Sequence, residues 1–441
     1  MKMNSNNMAN VATNKLHVHA DVLLDTPINW RLLAAIVILF PFIPPTIEGM
    51  EAVFGTSTGR ILSQFLTYWK YMSLATIVLY FVIRIRQQSI IQMIPSLFAI
   101  VLVACLFLST FLNGGGVPVS ELLDISCIAA LFVFVDCLPK KNYSLFVRAC
   151  YFCLTLSMLA NSMTIYLCYP NGLYQAGYYA GENTYYLNPN YYLFGLDNVC
   201  FIYSLAGCSM GLIHRSTVGH IGLLLPISYA FIFGSFFYTG AGTAIAVTIC
   251  LIVFMALFEL NKTRFMSYRF VLVLSGVLFV SICLMNTLGV FEGILGFIGK
   301  DSTFSNRIYI WAAVFQACHG HELFGFGLSD AVMHTQLGLA SGSVYISNIG
   351  HVHNVLLEFY FRGGLVGVLA FLLILIGPIR RMQRYSSSRI AQLVSLLFLL
   401  LWVTCMFEFR LNTYTFWLVP ICVWHIGNLV DLAGVKESPY V

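Results

Sequence analysis

Long apolar runs recur along almost the whole chain and are separated by short polar segments. The runs are roughly 17 to 25 residues long, the length that a helix needs to cross a bilayer. They lie near 30–48, 62–83, 91–112, 119–138, 145–168, 192–213, 219–237, 241–260, 270–290, 354–377, 390–408 and 413–430. The pattern predicts an all-α polytopic membrane protein with about twelve transmembrane helices and one large extracytoplasmic loop.

The same pattern predicts how the chain is organised. We expect 1–29 to be a cytoplasmic N-terminal tail, because it is polar and lacks a small-residue cleavage site after a short apolar core. Transmembrane helices 1–9 then occupy 30–290, and a large outer loop follows at 291–353. Helices 10–12 occupy 354–430, and a cytoplasmic C-terminal tail completes the chain at 431–441.

Composition supports a membrane protein. The chain has 441 residues, of which 59% are hydrophobic and 9% are charged, whereas about 25% of the residues of a soluble domain are charged. No basic run is interleaved with aromatic residues, so the net charge of +5 does not indicate nucleic-acid binding. The 13 cysteines lie mostly inside apolar runs, where cysteine packs as a small hydrophobic residue, and we infer no disulfide framework.

The positive charges predict the orientation, because lysine and arginine accumulate in cytoplasmic loops. If residue 1 is cytoplasmic, the inner loops contain most of the cations: Arg84, Arg86, Lys140, Lys141, Arg215, Lys262, Arg264, Arg269, Arg380, Arg381, Arg384 and Arg389. The outer segments then hold only Arg60, Lys300, Arg307 and Arg410, while Lys70 and Arg362 lie inside nearby spans. Both termini are therefore expected in the cytoplasm.

The first large outer segment, 169–191, is rich in Tyr, Asn and Gly and contains Asn183, Asn188 and Asn190. Such a segment suits a sugar-binding surface, since aromatic faces stack on sugars while amides and hydroxyls form hydrogen bonds. It also fits the aromatic belt at a membrane interface. Both interpretations stay open at this point.

The second outer segment, 291–352, gathers polar residues just before an apolar run. A helix is expected around 305–318, with Arg307 and Trp311 on one face and Ser305 or Asn306 as its N-cap. The glycine-rich stretch 325–350 is expected to be turn-rich, either as a lid over a substrate or as a linker. Polar groups at a membrane edge are costly, so their clustering indicates function.

His353 and Asn354 stand at the start of the next span, followed by Glu358 and Arg362. A neutral histidine in this place is a candidate proton acceptor. Glu358 and Arg362 are four residues apart, so they can pair on one helical face, either to bind substrate or as a structural ion pair.

Cations on the outer side could bind a phosphate group, which arginine matches best, although each could also contact lipid headgroups. No Asp-x-Asp occurs in an outer loop, and the spacing of Cys318, His319, His321 and Glu322 matches no zinc pattern. We therefore predict neither a metal nor a cofactor. Glu121, Asp124 and Asp197 are further candidates for acceptor binding or for the lining of a hydrated cavity.

Several of these motifs, in order, resemble the signature of the O-antigen ligase and polymerase superfamily. They are Arg307 with Trp311, Gly325-Phe326-Gly327, His353-Asn354, and the glycines of Gly363-Gly364-Leu365-Val366-Gly367. Asn188-Pro189-Asn190 is similar to the Pro-Asn motif of that family. The resemblance spans roughly 185–370, but Thr239-Gly240-Ala241-Gly242-Thr243 lacks the arginine that many members carry there, so the phosphate site of the family does not carry over whole.

The resemblance implies metal-independent, inverting glycosyl transfer on the outer face of a bacterial inner membrane. The donor and the acceptor would be glycans linked to undecaprenyl pyrophosphate, and a chain-length regulator would be a partner. His353 and Arg307 are the implied catalytic residues, as the base or acceptor-orienting group and as the pyrophosphate clamp. We expect the substrate-binding set to be Arg362, Arg410, Asn354, Glu358, Trp311 and Asn190.

These features favour a polymerase of lipid-linked repeat units for a capsule, exopolysaccharide or O-antigen. A ligase that moves the finished glycan to a terminal acceptor is the nearest alternative. A lipid-linked oligosaccharide flippase is another, although transporters usually show internal repeats and broken helices near mid-membrane. A third is a glycosyltransferase whose carboxylate base is Glu48 or Glu51.

Overall fold

A computed structural model describes most of the chain. The described residues are 29–43, 50–113, 116, 119–175, 190–218, 223–263, 266–285, 307–343, 346 and 350–434. The predicted caps Ser305 and Asn306, the outer cation Lys300 and Glu48 lie outside these ranges.

Helices dominate the described residues, as expected. They are α1 Trp30–Leu39, α2 Met50–Phe54, α3 Thr56–Arg84, α4 Ile94–Leu112, α5 Val119–Asp136, α6 Tyr143–Cys168, α7 Asp197–Val218, α8 Leu224–Thr239, α9 Gly242–Glu259, α10 Tyr268–Phe279, α11 Arg307–Ala317, α12 Asp330–Ser341, α13 Val355–Ile376, α14 Ile379–Arg384, α15 Arg389–Cys405, α16 Leu418–Trp424 and α17 Ile426–Leu432.

Among the described residues, five helical segments are long and apolar enough to cross a membrane: Thr56–Gln87, Ile94–Leu112, Tyr143–Cys168, Gly242–Glu259 and Val355–Arg384. The helical segments Tyr414–Trp424 and Ile426–Leu432 meet at 70°. If this bent pair is counted as one span, the described residues contain six. Shorter apolar helices cover several other expected spans. The protein is thus an all-α polytopic membrane protein in its main features, while the expected twelve crossings, the orientation and the segment boundaries stay predictions.

A short β-sheet interrupts the helical architecture. Its antiparallel strands are β1 Tyr174–Gln175, β2 Asn190–Tyr192 and β3 Gly195–Leu196. Tyr174 and Tyr191 stack across the sheet with ring centroids 4.9 Å apart. The sequence analysis did not predict this sheet, because strands of two or three residues are too short to show an alternating pattern.

Within its described residues, the segment predicted to be the large outer loop, 291–353, contains two helices that pack on each other, α11 and α12. The first confirms the predicted helix around 305–318. The second runs through the stretch that was expected to be turn-rich, because Ser329 caps its first turn and Gly342, in the left-handed conformation, ends it. Met333 and Leu337, four residues apart, bury one face of this helix.

Helix α13 organises the neighbourhood of the candidate site. It packs against α4 and is broken at Gly364, whose φ is 59° and ψ is −158°. The segment before α12 inserts alongside this break. The amide of Phe326 donates to the carbonyl of Phe361 at 2.8 Å, and the amide of Leu365 donates to the carbonyl of Glu322 at 2.8 Å. The broken helix therefore has protein partners for its freed backbone groups.

Two glycines permit this close approach. A Cβ atom on Gly364 would lie 2.4 Å from the carbonyl oxygen of Leu323, and one on Gly325 would lie 2.4 Å from that of Phe361. Both residues also have positive φ, which glycine adopts without steric cost. The Gly-x-Gly and Gly-Gly motifs thus allow the backbone of the segment just before α12 to pack against the backbone of α13.

Candidate functional site

The site lies at the end of the bundle where α13 begins and α15 ends. Arg307, the first residue of α11, forms a salt bridge with Oε1 of Glu408. The other oxygen of Glu408, Oε2, lies 3.2 Å from Nδ1 of His353. The structure thus brings together the two residues predicted to be catalytic and joins them through one buried carboxylate, whose side chain is only 6% exposed.

A second histidine, His351, lies next to this cluster. The ring of His351 lies 4.0 Å from that of His353, centroid to centroid. Burial lowers the pKa of His351 well below its ordinary value, and nearby positive charges, that of Arg410 among them, act in the same direction. His351 is therefore neutral near pH 7.

The Glu408 carboxyl follows the end of α15 and is ionised. Burial raises its pKa, but the charge of Arg307 and the hydrogen bond to His353 outweigh burial and leave the pKa below the ordinary value. The charge of Arg410 lowers it further. The positive charge of Arg410 thus acts on the carboxylate that joins the two catalytic candidates, while its role as a second phosphate-binding cation stays a prediction.

His353 has a strained backbone, with φ of 61°. A non-glycine residue in this region costs roughly 1–2 kcal/mol and persists only when the surroundings fix it. Here the amide of Val352 donates to Oε2 of Glu358 at 2.8 Å, and the carbonyl of Val352 accepts from Nε1 of Trp311 at 3.2 Å. The loop before α13 is therefore held firmly on one side of His353.

Asn354 fixes the loop on the C-terminal side of His353. Its Oδ1 caps α13 by accepting from the amides of Leu356 and Leu357 at 3.0 and 3.2 Å. Its Nδ2 donates to the carbonyl of Met406 at 3.1 Å, which ties the start of α13 to the end of α15. Asn354 and Trp311 are fully buried, so in this structure both fix the loop, and their predicted contact with substrate stays a prediction.

Glu358 and Arg362 pair on one face of α13, as their spacing predicted. Nε of Arg362 donates to Oε1 of Glu358 at 2.7 Å, and a terminal nitrogen donates to Asp330 Oδ1 at 2.6 Å. Arg362 also donates to the carbonyl of Leu328. Glu358 is fully buried and Arg362 nearly so. These contacts fit the structural ion pair, while a role of either residue in substrate binding stays a prediction.

The remaining candidates lie elsewhere. Asn190 begins β2, and its side chain is outside the described part of the chain. Glu51, proposed above as an alternative base, forms an exposed pair with Arg60 at 3.8 Å. Lys70 lies 2.6 Å from Asp124, so this predicted outer cation has a carboxylate neighbour between α3 and α5.

One group of side chains within the described residues is close enough to hold a metal ion. Ligand atoms of His351, His353 and Glu408 lie within 4.8 Å of one another. Arg307 is already bound to one carboxylate oxygen of this group, so a fixed guanidinium supplies positive charge where an ion would otherwise do so. Cys318 is buried, and His319 pairs with Glu322 at the surface.

Glu408 is a functional candidate that the sequence motifs did not predict. A signal was present, because an acidic residue at the end of an apolar run, two positions before Arg410, indicates function by its cost in a membrane. No sequence pattern favoured it over Glu121 or Asp124. Only the fold shows that Glu408 contacts both Arg307 and His353.

Comparison with known proteins adds one finding. Residues 227–372 match a family model described as O-antigen ligase. That segment contains Arg307, Trp311, His353 and Asn354 but neither Glu408 nor Arg410. No curated protein matched the chain. The matched segment and the ordered motifs inside it thus agree with the resemblance to the O-antigen ligase/polymerase superfamily.

Proposed function

We propose that this protein is an integral-membrane glycosyltransferase that polymerises undecaprenyl-pyrophosphate-linked oligosaccharide repeat units on the outer face of the membrane. The observation that carries the proposal is the pairing of Arg307 and His353 through Glu408 inside a membrane protein that resembles this superfamily. A cation and a proton acceptor side by side are what transfer from a pyrophosphate donor requires.

In the proposed reaction, an acceptor sugar hydroxyl attacks the anomeric carbon of the donor. Nε2 of His353 accepts the hydroxyl proton as the new glycosidic bond forms. The bond from the anomeric carbon to the pyrophosphate oxygen breaks, and its electron pair leaves with undecaprenyl pyrophosphate. Arg307 and Arg410 stabilise the developing negative charge. Attack opposite the leaving group inverts the anomeric configuration.

The fixed arginines make a metal ion unnecessary in this scheme. The leaving group carries its charge next to guanidinium groups, which bind phosphate oxygens in a bidentate manner. We therefore expect chelation of divalent ions to leave the rate unchanged. A rate that falls in EDTA and recovers on addition of a divalent ion would contradict this part of the proposal.

The test uses purified protein in lipid with lipid-linked repeat units from its host. We expect wild type to produce a ladder of longer lipid-linked glycans, and we expect His353→Ala and Arg307→Ala to reduce its formation to a small residual rate. Matched controls are His319→Ala, an exposed histidine paired with a glutamate, and Arg60→Ala, an exposed arginine. Both controls should retain the ladder.

The same site chemistry serves a ligase, and the family description favours that alternative. The acceptor separates the two functions. Transfer of a finished glycan to a terminal acceptor, without a ladder from repeat units alone, would replace the polymerase with a ligase. Folded protein that moves the lipid-linked substrate across a bilayer without forming a glycosidic bond would favour a flippase and remove support for both catalytic roles.

A further inference from the structure

Glu408 uses both of its carboxylate oxygens on the two catalytic candidates. Oε1 receives the guanidinium of Arg307, and Oε2 lies 3.2 Å from Nδ1 of His353. The carboxylate is almost completely buried. It joins three separate parts of the chain: α11, the loop before α13 and the segment after α15. Along the sequence, Glu408 is 101 positions from Arg307 and 55 positions from His353.

The direction of the histidine hydrogen bond follows from the chemistry of the pair. An ionised carboxylate has no proton to donate, so Nδ1 of His353 must carry the hydrogen. In a neutral imidazole only one nitrogen is protonated, which leaves the lone pair on Nε2. The two ring nitrogens point in different directions, so Nε2 faces away from Glu408. The carboxylate thus selects the tautomer that can accept a proton at Nε2.

We propose that Glu408 is a positioning residue of the glycosyl transfer, which holds Arg307 against the site and fixes His353 in the tautomer and orientation that a base requires. This inference rests on the proposed function and deepens it. Glu408 itself does not take the proton from the acceptor and does not contact the sugar. It lies outside the segment that matches the family model, so its assignment comes from the contacts alone.

The strain at His353 supports this role. Its φ of 61° aims the side chain toward Glu408, and the contacts of Val352 and Asn354 keep the loop in that conformation. Backbone strain that the surroundings maintain is typical of groups whose orientation matters for function. A histidine that only filled space would not require it.

Two substitutions separate positioning from packing. Glu408→Gln keeps the size of the side chain, but its amide can donate to Nδ1 and favour the wrong tautomer, and it loses the charge that holds Arg307. We expect kcat to fall roughly 100-fold or more. Glu408→Asp is shorter but keeps the charge and the acceptor, and should lose no more than about tenfold. A packing role predicts the opposite order, because glutamine fits the site better than aspartate.

A double-mutant cycle provides a second readout. If Glu408 acts through His353, then Glu408→Gln should lower the residual kcat of His353→Ala by less than about tenfold, far less than in wild type. Full additivity of the two effects would overturn the inference. The matched control is Glu322→Gln, which alters an exposed glutamate paired with His319 at 3.1 Å and should leave kcat unchanged.

Failure of the inference and failure of the proposed function are distinguishable. If wild type forms the glycan ladder and Glu408→Gln is as active as wild type, glycosyl transfer stands and the positioning role is wrong. If folded wild type shows no transfer with any acceptor, the proposed function falls. Each variant is first checked for its helical circular dichroism and its monodisperse elution, and Glu408→Asp serves if Glu408→Gln does not fold.

Discussion

Replacement of Arg362 tests whether the buried ion pair of α13 is structural. The guanidinium binds Glu358 at 2.7 Å and Asp330 at 2.6 Å. Arg362→Gln leaves the Glu358 carboxylate fully buried with no cation against it. Loss of one partner from a buried pair costs about 3–5 kcal/mol, because the remaining charge has neither water nor a counterion. We expect the free energy of unfolding to fall by that amount.

The assay is reversible unfolding in mixed micelles, with added SDS as the denaturant and helical circular dichroism as the signal. The matched control is Arg60→Gln, since Arg60 and Glu51 form an exposed pair at 3.8 Å. Exposed pairs contribute about 0–1 kcal/mol. The combined variant Glu358→Gln with Arg362→Gln should recover part of the loss, because no unpaired charge remains buried and the remaining carboxylate, Asp330, is exposed to solvent.

The result also decides between the two interpretations of this pair. If Arg362 serves the fold, stability falls sharply in Arg362→Gln, and the combined variant is more stable than the single one. If Arg362 instead binds substrate, stability stays close to that of the Arg60→Gln control while KM rises. That second outcome would refute the reasoning from burial and contacts.

Two further predictions concern the helix break at Gly364 and the buried polar cluster around Asp136. Gly364→Ala adds a Cβ against a carbonyl at a positive φ and should lower the apparent melting temperature, whereas Gly276→Ala, with open space around it, should not; equal melting temperatures would contradict this. Asp136 accepts from the amide and hydroxyl of Ser96 and lies 2.8 Å from His425. Asp136→Asn should therefore lose stability in the same SDS titration, and unchanged unfolding would show that this buried cluster is dispensable.

Local sequence patterns were sufficient for the features that depend on near neighbours. Apolar runs predicted helical spans, because a bilayer forces each buried segment to satisfy its own backbone hydrogen bonds. The spacing of Arg307 and Trp311 predicted α11, and the i,i+4 spacing predicted the contact of Glu358 with Arg362. These features follow from the helical period alone.

The sequence did not predict features in which the chain departs from regular periods. The break at Gly364 depends on the segment just before α12, about 40 positions earlier in the chain, which supplies hydrogen bonds to the freed backbone. The glycine motifs were recognised from the family resemblance, but their physical role is a close approach of two backbones. Helix α12 was not predicted, because the glycines on either side of it indicated turns.

The sequence by itself thus determined a helical membrane protein and singled out the polar residues Arg307, His353 and Arg410 at the ends of its apolar runs. Only the tertiary structure decided that Glu408 joins Arg307 to His353. The reason is physical: the three side chains belong to separate segments. No helical or strand period relates Glu408 to Arg307, 101 positions earlier, or to His353, 55 positions earlier. The fold brings the start of α11, the loop before α13 and the segment after α15 together, and burial then requires that their charges pair.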